Sequence, residues 1–152
     1  MPSPEVWMRM AMSLAETAGT FDEVPIGALV VFGDKIIGSG FNLKENLNDA
    51  TNHAEIIALR RASANLGRWR LQDCTMFTTL EPCLMCAGAL IQSRIGRVVY
   101  AATDPKAGAL GSLYELNLDD RLNHSFPVEK GPLSQESSQL LKSFFKRKRR
   151  PK

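Results

Sequence analysis

The stretch Cys74–Ser93, CTMFTTLEPCLMCAGALIQS, decides the fold class. Its first seven residues, Cys74 to Leu80, are rich in threonine with methionine and phenylalanine, and they predict a strand. Pro82 suits the first position of a helix, and the apolar run from Cys83 to Ser93 carries that helix on. Val98 to Ala102 is apolar and β-rich and returns as another strand. A strand, a helix and a strand in close succession are the rhythm of an α/β protein.

The same alternation continues outward in both directions. On the N-terminal side, Pro25 to Phe32 (PIGALVVF) and Lys35 to Phe41 (KIIGSGF) predict two strands around a Gly33-Asp34 turn. Their link is too short for a crossover, so they are expected to be antiparallel. Asn42 to Asn52 is a polar loop. Ala54 to Leu66 follows as a helix with Gly67 as its C-cap. Ahead of all this, Ser3 and Pro4 open a first helix. Val6, Trp7, Met10, Ala11, Leu14, Ala15 and Ala18 form its expected core face. On the C-terminal side, Asp104 to Gly111 is a glycine-containing loop and Phe126 to Glu129 a short last strand. Leu133 to about Arg149 is a terminal helix with Leu133, Leu140, Leu141, Phe144 and Phe145 as its apolar members. Both phenylalanines are expected to face the core. The order implies a mixed sheet with helices on its faces.

The 152 residues suit one domain spanning 1–152, with a basic C-terminal helix and tail from about 133. Apolar content of 44% and charged content of 23% exclude a disordered chain. No apolar run approaches the roughly 20 residues of a membrane helix. MPSPEVWMRM lacks the pattern of a signal peptide, so the expected location is cytoplasmic. Six of the 19 basic residues lie in Lys146–Lys152 without an acid, whereas the rest of the chain carries a small negative excess. Such an end is a footprint for a polyanion such as nucleic acid, or a solvated tail.

Three cysteines are an odd count, which argues against a disulfide framework. Cys83 and Cys86 stand three apart at a strand-to-helix junction. His53 stands at the start of another helix. One imidazole and two thiolates supply three of the four tetrahedral positions that Zn²⁺ prefers and leave one for water. That is the pattern of a catalytic site. Glu55, two residues after His53, is not needed as a ligand and is suited to move protons beside such a water. The dipole of the following helix is expected to hold both cysteines as thiolates. Taken singly, Cys-x-x-Cys also suits a redox pair and a lone histidine suits a structural hydrogen bond. Taken together the residues match His-x-Glu…Pro-Cys-x-x-Cys, the signature of zinc nucleobase deaminases. Cys74 reads as a small buried side chain.

At these residues the sequence resembles the cytidine deaminase-like superfamily and, within it, the bacterial tRNA-specific adenosine deaminases. Val24–Val31, Gly40-Phe41-Asn42, His53-Ala54-Glu55, Thr79–Leu90, Ser93–Leu113, Leu122-Asn123-His124 and Ser143-Phe144-Phe145 carry the resemblance. It implies a three-layer α/β/α fold around a five-stranded mixed sheet, acting as a homodimer with one zinc ion per chain held by His53, Cys83 and Cys86. It implies hydrolytic conversion of adenosine to inosine at the wobble position of tRNA, with attack at C6 of adenine and Glu55 as the proton shuttle. It implies that Asn42 and Ala54 contact the flipped base. Asp104, Lys106, Phe145 and Arg149 would hold the anticodon stem-loop. The alternative is a deaminase of a free nucleobase or nucleotide of guanine or cytosine type, which would share every zinc and proton residue.

Overall fold

The computed structural model describes residues 2–149. Arg150, Pro151 and Lys152, the end of the expected basic tail, lie outside the described residues. Helix α1 spans Pro4–Thr20, with the Ser3 hydroxyl accepting from the Val6 amide at 3.4 Å. Its buried face runs through Trp7, Met8, Ala11, Met12, Ala15 and Ala18. Val6 and Met10, expected in the core, are exposed instead. At about 100° per residue Val6 falls on the side opposite that face and Met10 beyond its edge. Apolar residue types occur nearly all round this helix, so residue type alone could not fix which stripe is buried.

Strands β1 (Gly27–Phe32) and β2 (Lys35–Phe41) form the expected antiparallel hairpin, with Phe32 opposite Lys35 across the Gly33-Asp34 turn. Gly33 sits at φ 64°, in the left-handed region that such a turn requires. Helix α2 (Ala54–Leu66) ends at Gly67, φ 68°. Strand β3 (Cys74–Leu80), helix α3 (Leu84–Gln92) and strand β4 (Arg97–Ala102) follow. Then come a short 3-10 turn at Leu116–Leu118, strand β5 (Val128–Lys130) and helix α4 (Ser134–Lys148).

The five strands make one mixed sheet in the order β2-β1-β3-β4-β5, antiparallel as far as β3 and parallel from β3 to β5. Alternate residues along each strand feed two cores. Ala28, Val30, Met76 and Val98 pack with Ala58 and Leu59 of α2 and Ala87 and Leu90 of α3. Leu29, Val31, Phe77 and Val99 pack on the other face with Trp7 and Met8 of α1 and with Leu133 and Leu140 at α4. This is the three-layer α/β/α arrangement.

Two boundaries and one burial differ from expectation. Helix α3 begins at Leu84 with Cys83 as its extended N-cap, because Pro82 is drawn into pairing with a later loop: its carbonyl accepts from Ala109 at 2.9 Å. Strand β5 starts at Val128, and Phe126 is a core side chain ahead of it. In α4 Phe144 is buried, as expected, but Phe145 is 43% exposed. Adjacent helical positions point about 100° apart, so only one of the pair can face the sheet.

Candidate active site

The helix that carries His53 and Glu55 can reach its place because β2 is smooth beneath it. Any Cβ at Gly40 would stand 2.8 Å from the Ala54 carbonyl oxygen, at the first residue of α2. The loop before α2 is tied down by Glu23, which follows α1 and is buried. Its carboxylate accepts from the Glu45 amide at 3.1 Å, the Asn46 amide at 2.7 Å and the Asn46 side-chain nitrogen at 2.7 Å. Burial alone would raise the Glu23 carboxyl, but these Asn46 and Glu45 donors outweigh it and hold it below the ordinary value. Thus His53 arrives at the N-cap of α2 and Glu55 in its first turn.

Cys83 and Cys86 arrive at the N-terminus of α3, just beyond the carboxyl end of β3. The ends of parallel strands are where ligand sites form in sheets of this kind. Cys83 Sγ lies 3.6 Å and Cys86 Sγ 3.5 Å from His53 Nδ1. Ligand atoms of all three residues lie within 4.8 Å of one another. A tetrahedral ion with bonds of about 2.3 Å to sulfur and about 2.0 Å to nitrogen would hold a sulfur and a nitrogen about 3.5 Å apart. The donor set and spacing therefore fit Zn²⁺. The three expected ligands converge, and among the described residues no fourth histidine, cysteine or carboxylate joins them.

Glu55 stands beside this trio, 4% exposed, and its Oε1 has no hydrogen-bond partner. Burial, with the negative charge of Cys83 in support, raises its carboxyl from 4.5 to about 7. Orphaned buried oxygens are expensive and uncommon, and a group poised near neutrality suits acid–base work. The two sulfurs do not ionise alike. The hydrogen bond from Cys86, and then His53, push the Cys83 thiol down to about 4 against burial. Cys86 moves up, first because it donates to Cys83, then because it is buried near the Glu55 charge. His53 moves up through its bond to Cys83, against burial. With protein groups alone Cys83 is driven towards the thiolate and Cys86 towards the thiol, and Cys86 gives up its proton when a cation replaces it.

Sequence reasoning missed Glu81. It is 1% exposed and sits between β3 and Cys83. Its Oε1 accepts from the Asp104 amide at 3.0 Å and the Ser112 hydroxyl at 2.5 Å. Its Oε2 accepts from the amides of Leu110 at 3.2 Å and Ser112 at 3.0 Å. The signal available was an acid directly before a proline in an otherwise apolar junction.

The remaining expected residues fall in three places. Asn42 is buried at the end of β2, and Ala54 is buried in the first turn of α2. Asp104 is half-buried just after β4, its Oδ1 accepting from the Lys106 and Ala107 amides at 3.3 Å, while Lys106 is exposed. Phe145 and Arg149 are exposed at the end of α4. That end is anchored by an ion pair between Lys148 and Asp22. Phe21, next to Asp22, stacks on Phe41 with ring centres 5.8 Å apart, and Phe41 directly precedes Asn42. His124 Nε2 donates to the Ile95 carbonyl oxygen at 2.7 Å and its ring stacks on Phe126, while Cys74 is buried beside Asp73.

A family model described as MafB19-like deaminase matches residues 3–149. The chain belongs to this deaminase family. Among its relatives is a tRNA-specific adenosine deaminase of Haemophilus influenzae, 46% identical over 149 residues, covering 97% of this chain and 86% of that one. Another, of Bacillus subtilis, is 41% identical over 152 residues, covering 100% and 94%. A solved structure from work on A-to-I editing by tRNA:A34 deaminases at the wobble position is 40% identical with a TM-score of 0.87, covering 90% and 99%. A guanine deaminase from Nitrosomonas europaea is more distant, at 28% identity and a TM-score of 0.79, covering 95% and 85%. The resemblance read from the motifs is thus borne out along nearly the whole chain.

Proposed function

We propose that this chain deaminates adenosine to inosine at the wobble position of tRNA. The observation that carries the deamination chemistry is the gathering of His53, Cys83 and Cys86 within 4.8 Å beside a buried Glu55 with an unpartnered oxygen. Relatives named tRNA-specific adenosine deaminase, at 41–46% identity, favour this substrate over the guanine of the neighbour at 28%.

One Zn²⁺ per chain, held by His53 Nδ1 and the two sulfurs, would supply a water acidified towards about pH 7. Beside it, Glu55 would take a proton from the attacking water and deliver it to ring N1 of adenine. It then carries the water's second proton to the amine at C6, which leaves as ammonia. Water in, ammonia out and inosine left behind balance the reaction. A buried carboxyl with an unpartnered oxygen is placed to accept and then donate a proton there. Asn42 and Ala54 line the place of the base. A base must leave its stack to reach a pocket of this kind, and an anticodon loop offers it unstacked.

Asp104, Lys106, Phe145 and Arg149 form the outer hold on the RNA. The basic end of α4 supports this, since phosphate contacts need cations near the pocket. The chain acts as a homodimer; a groove between α2 and α3, lined by Leu59, Trp69 and Ala89 together with Arg60, Gln92 and Arg94, supports a covered face there. A tRNA substrate supports a cytoplasmic location; among the described residues no helix is long and apolar enough to cross a membrane.

The test is inosine formation at the wobble adenosine of a transcribed anticodon hairpin, with and without a chelator, beside ammonia release from free adenosine and guanine. Chelator-sensitive conversion of the hairpin, with little turnover of the free compounds, is expected. Faster turnover of guanine than of the hairpin would overturn the reading.

A further inference from the structure

Glu81 is a buried carboxylate with no cationic partner among the described residues. Four donors surround it instead, all from residues 104–112. Those donors offset the cost of burying its charge, and an apolar side chain there would leave three loop amides without an acceptor. The loop it gathers is also stitched to the cysteine turn: Cys83 pairs with Gly108 in an isolated bridge, and Ala109 donates to the Pro82 carbonyl at 2.9 Å. The loop passes so close that a Cβ on Gly108 would stand 2.3 Å from Glu81 Oε2. Glycine is required here for space, not for a special φ.

We infer that Glu81 is a positioning residue for the substrate RNA, which fixes the Asp104–Ser112 loop against the cysteine turn so that Asp104 and Lys106 meet the RNA in one geometry. The inference rests on the RNA reading above. Glu81 acts through the loop: its carboxylate bonds go to loop donors and none goes to His53, Cys83, Cys86 or Glu55. A held loop lowers the ordering that the RNA must impose on binding. The consequence falls on binding and leaves the proton chemistry of Glu55 in place.

Glu81→Gln separates these effects. A glutamine offers one oxygen and one NH₂, so one pair of the four loop donors then faces another donor. On the full-length, zinc-loaded protein, the hairpin concentration at half-saturation is expected to rise about tenfold while kcat stays within about threefold. Zinc stays at one per chain, and hydrogen exchange at the Leu110 and Ser112 amides speeds up. Gly108→Ala should give the same split by displacing the carboxylate without altering it. If neither variant folds, Ser112→Ala carries the test: it removes a single donor at an exposed position and should raise half-saturation by about twofold. Faster exchange with unchanged half-saturation would overturn the inference. So would a fall in kcat with unchanged half-saturation, or loss of zinc. A wild-type protein that fails on the hairpin would instead sink the RNA reading itself.

Discussion

Gly38 packs directly on the backbone of Ala58: a Cβ at Gly38 would stand 2.3 Å from the Ala58 carbonyl oxygen and 2.6 Å from the Ala62 nitrogen. Helix α2 therefore lies on β2 with no side chain between them, and its depth sets the height of His53 and Glu55 above the sheet. Gly38→Ala is expected to lower stability by about 1–3 kcal/mol, as overpacking does. Because the helix must lift, zinc should also bind more weakly. Thermal unfolding and zinc titration against a competing chelator check both. Unchanged zinc affinity in a destabilised protein would detach the site from this contact.

Burial of Glu55 makes a pH-dependent stability. Its folded carboxyl is raised from 4.5 to about 7, so folding favours the protonated form. That contribution is complete below about 4.5 and is lost as pH rises through about 7. Glu55→Gln removes the ionisation. In chelator-treated protein, the stability advantage of the variant should grow by about 2–3 kcal/mol between pH 5 and pH 8. Turnover should fall by about 10²–10⁴, with zinc retained in the loaded protein. A pH-independent difference between the two proteins would show that Glu55 ionises in the folded state as freely as in water.

Most of the layer order was legible because its signals are local. Gly33-Asp34 forces a hairpin, Gly67 closes a helix, and Cys83-x-x-Cys86 marks a strand-to-helix junction whatever surrounds it. His53, Glu55 and the cysteines were legible because the chemistry restricts their types and spacing. What the sequence hid depends on distant partners. Glu81 reads as one acid among 16 until the loop 104–112 folds over it. Glu23 is equally ordinary until Asn46 arrives 23 residues later. The stripe on α1 and the fate of Phe145 depend on where the sheet lies, and local spacing does not say.

The unequal sulfurs give a direct chemical readout. With protein groups alone, Cys83 is a half-buried thiolate with its thiol pushed down to about 4. Cys86 is buried and held protonated, and burial with the nearby Asp73 charge raises Cys74 to about 11. A thiol-specific disulfide reagent should therefore react with one fast and two slow cysteines in metal-stripped protein, and the fast reaction should persist down to about pH 5. Zinc should suppress the fast phase. Cys74 as the fast residue, located by mass spectrometry, would contradict the assignment.

Phe144 and Phe145 are neighbours in sequence with opposite surroundings, and that contrast separates the fold from the RNA hold. Phe144 is 4% exposed and lies beneath the cations of Arg147 and Lys148, 5.8 Å from its ring centre. Truncating it leaves a cavity and removes the support of the basic end, so Phe144→Ala should lower stability by about 3–5 kcal/mol. Phe145 meets its neighbour edge-on but is 43% exposed. Phe145→Ala should change stability by about 0.5 kcal/mol or less. If Phe145 and Arg149 hold the anticodon stem-loop, Phe145→Ala and Arg149→Ala raise the half-saturating hairpin concentration without slowing the bound step. Their salt responses then differ. Arg149→Ala removes one phosphate contact and lowers the slope of log affinity against log salt by about 0.7–0.9. Phe145→Ala removes a stacking surface and leaves that slope unchanged. Titration of the hairpin at several salt concentrations reads both, and equal slopes for wild type and Arg149→Ala would remove Arg149 from the RNA contact.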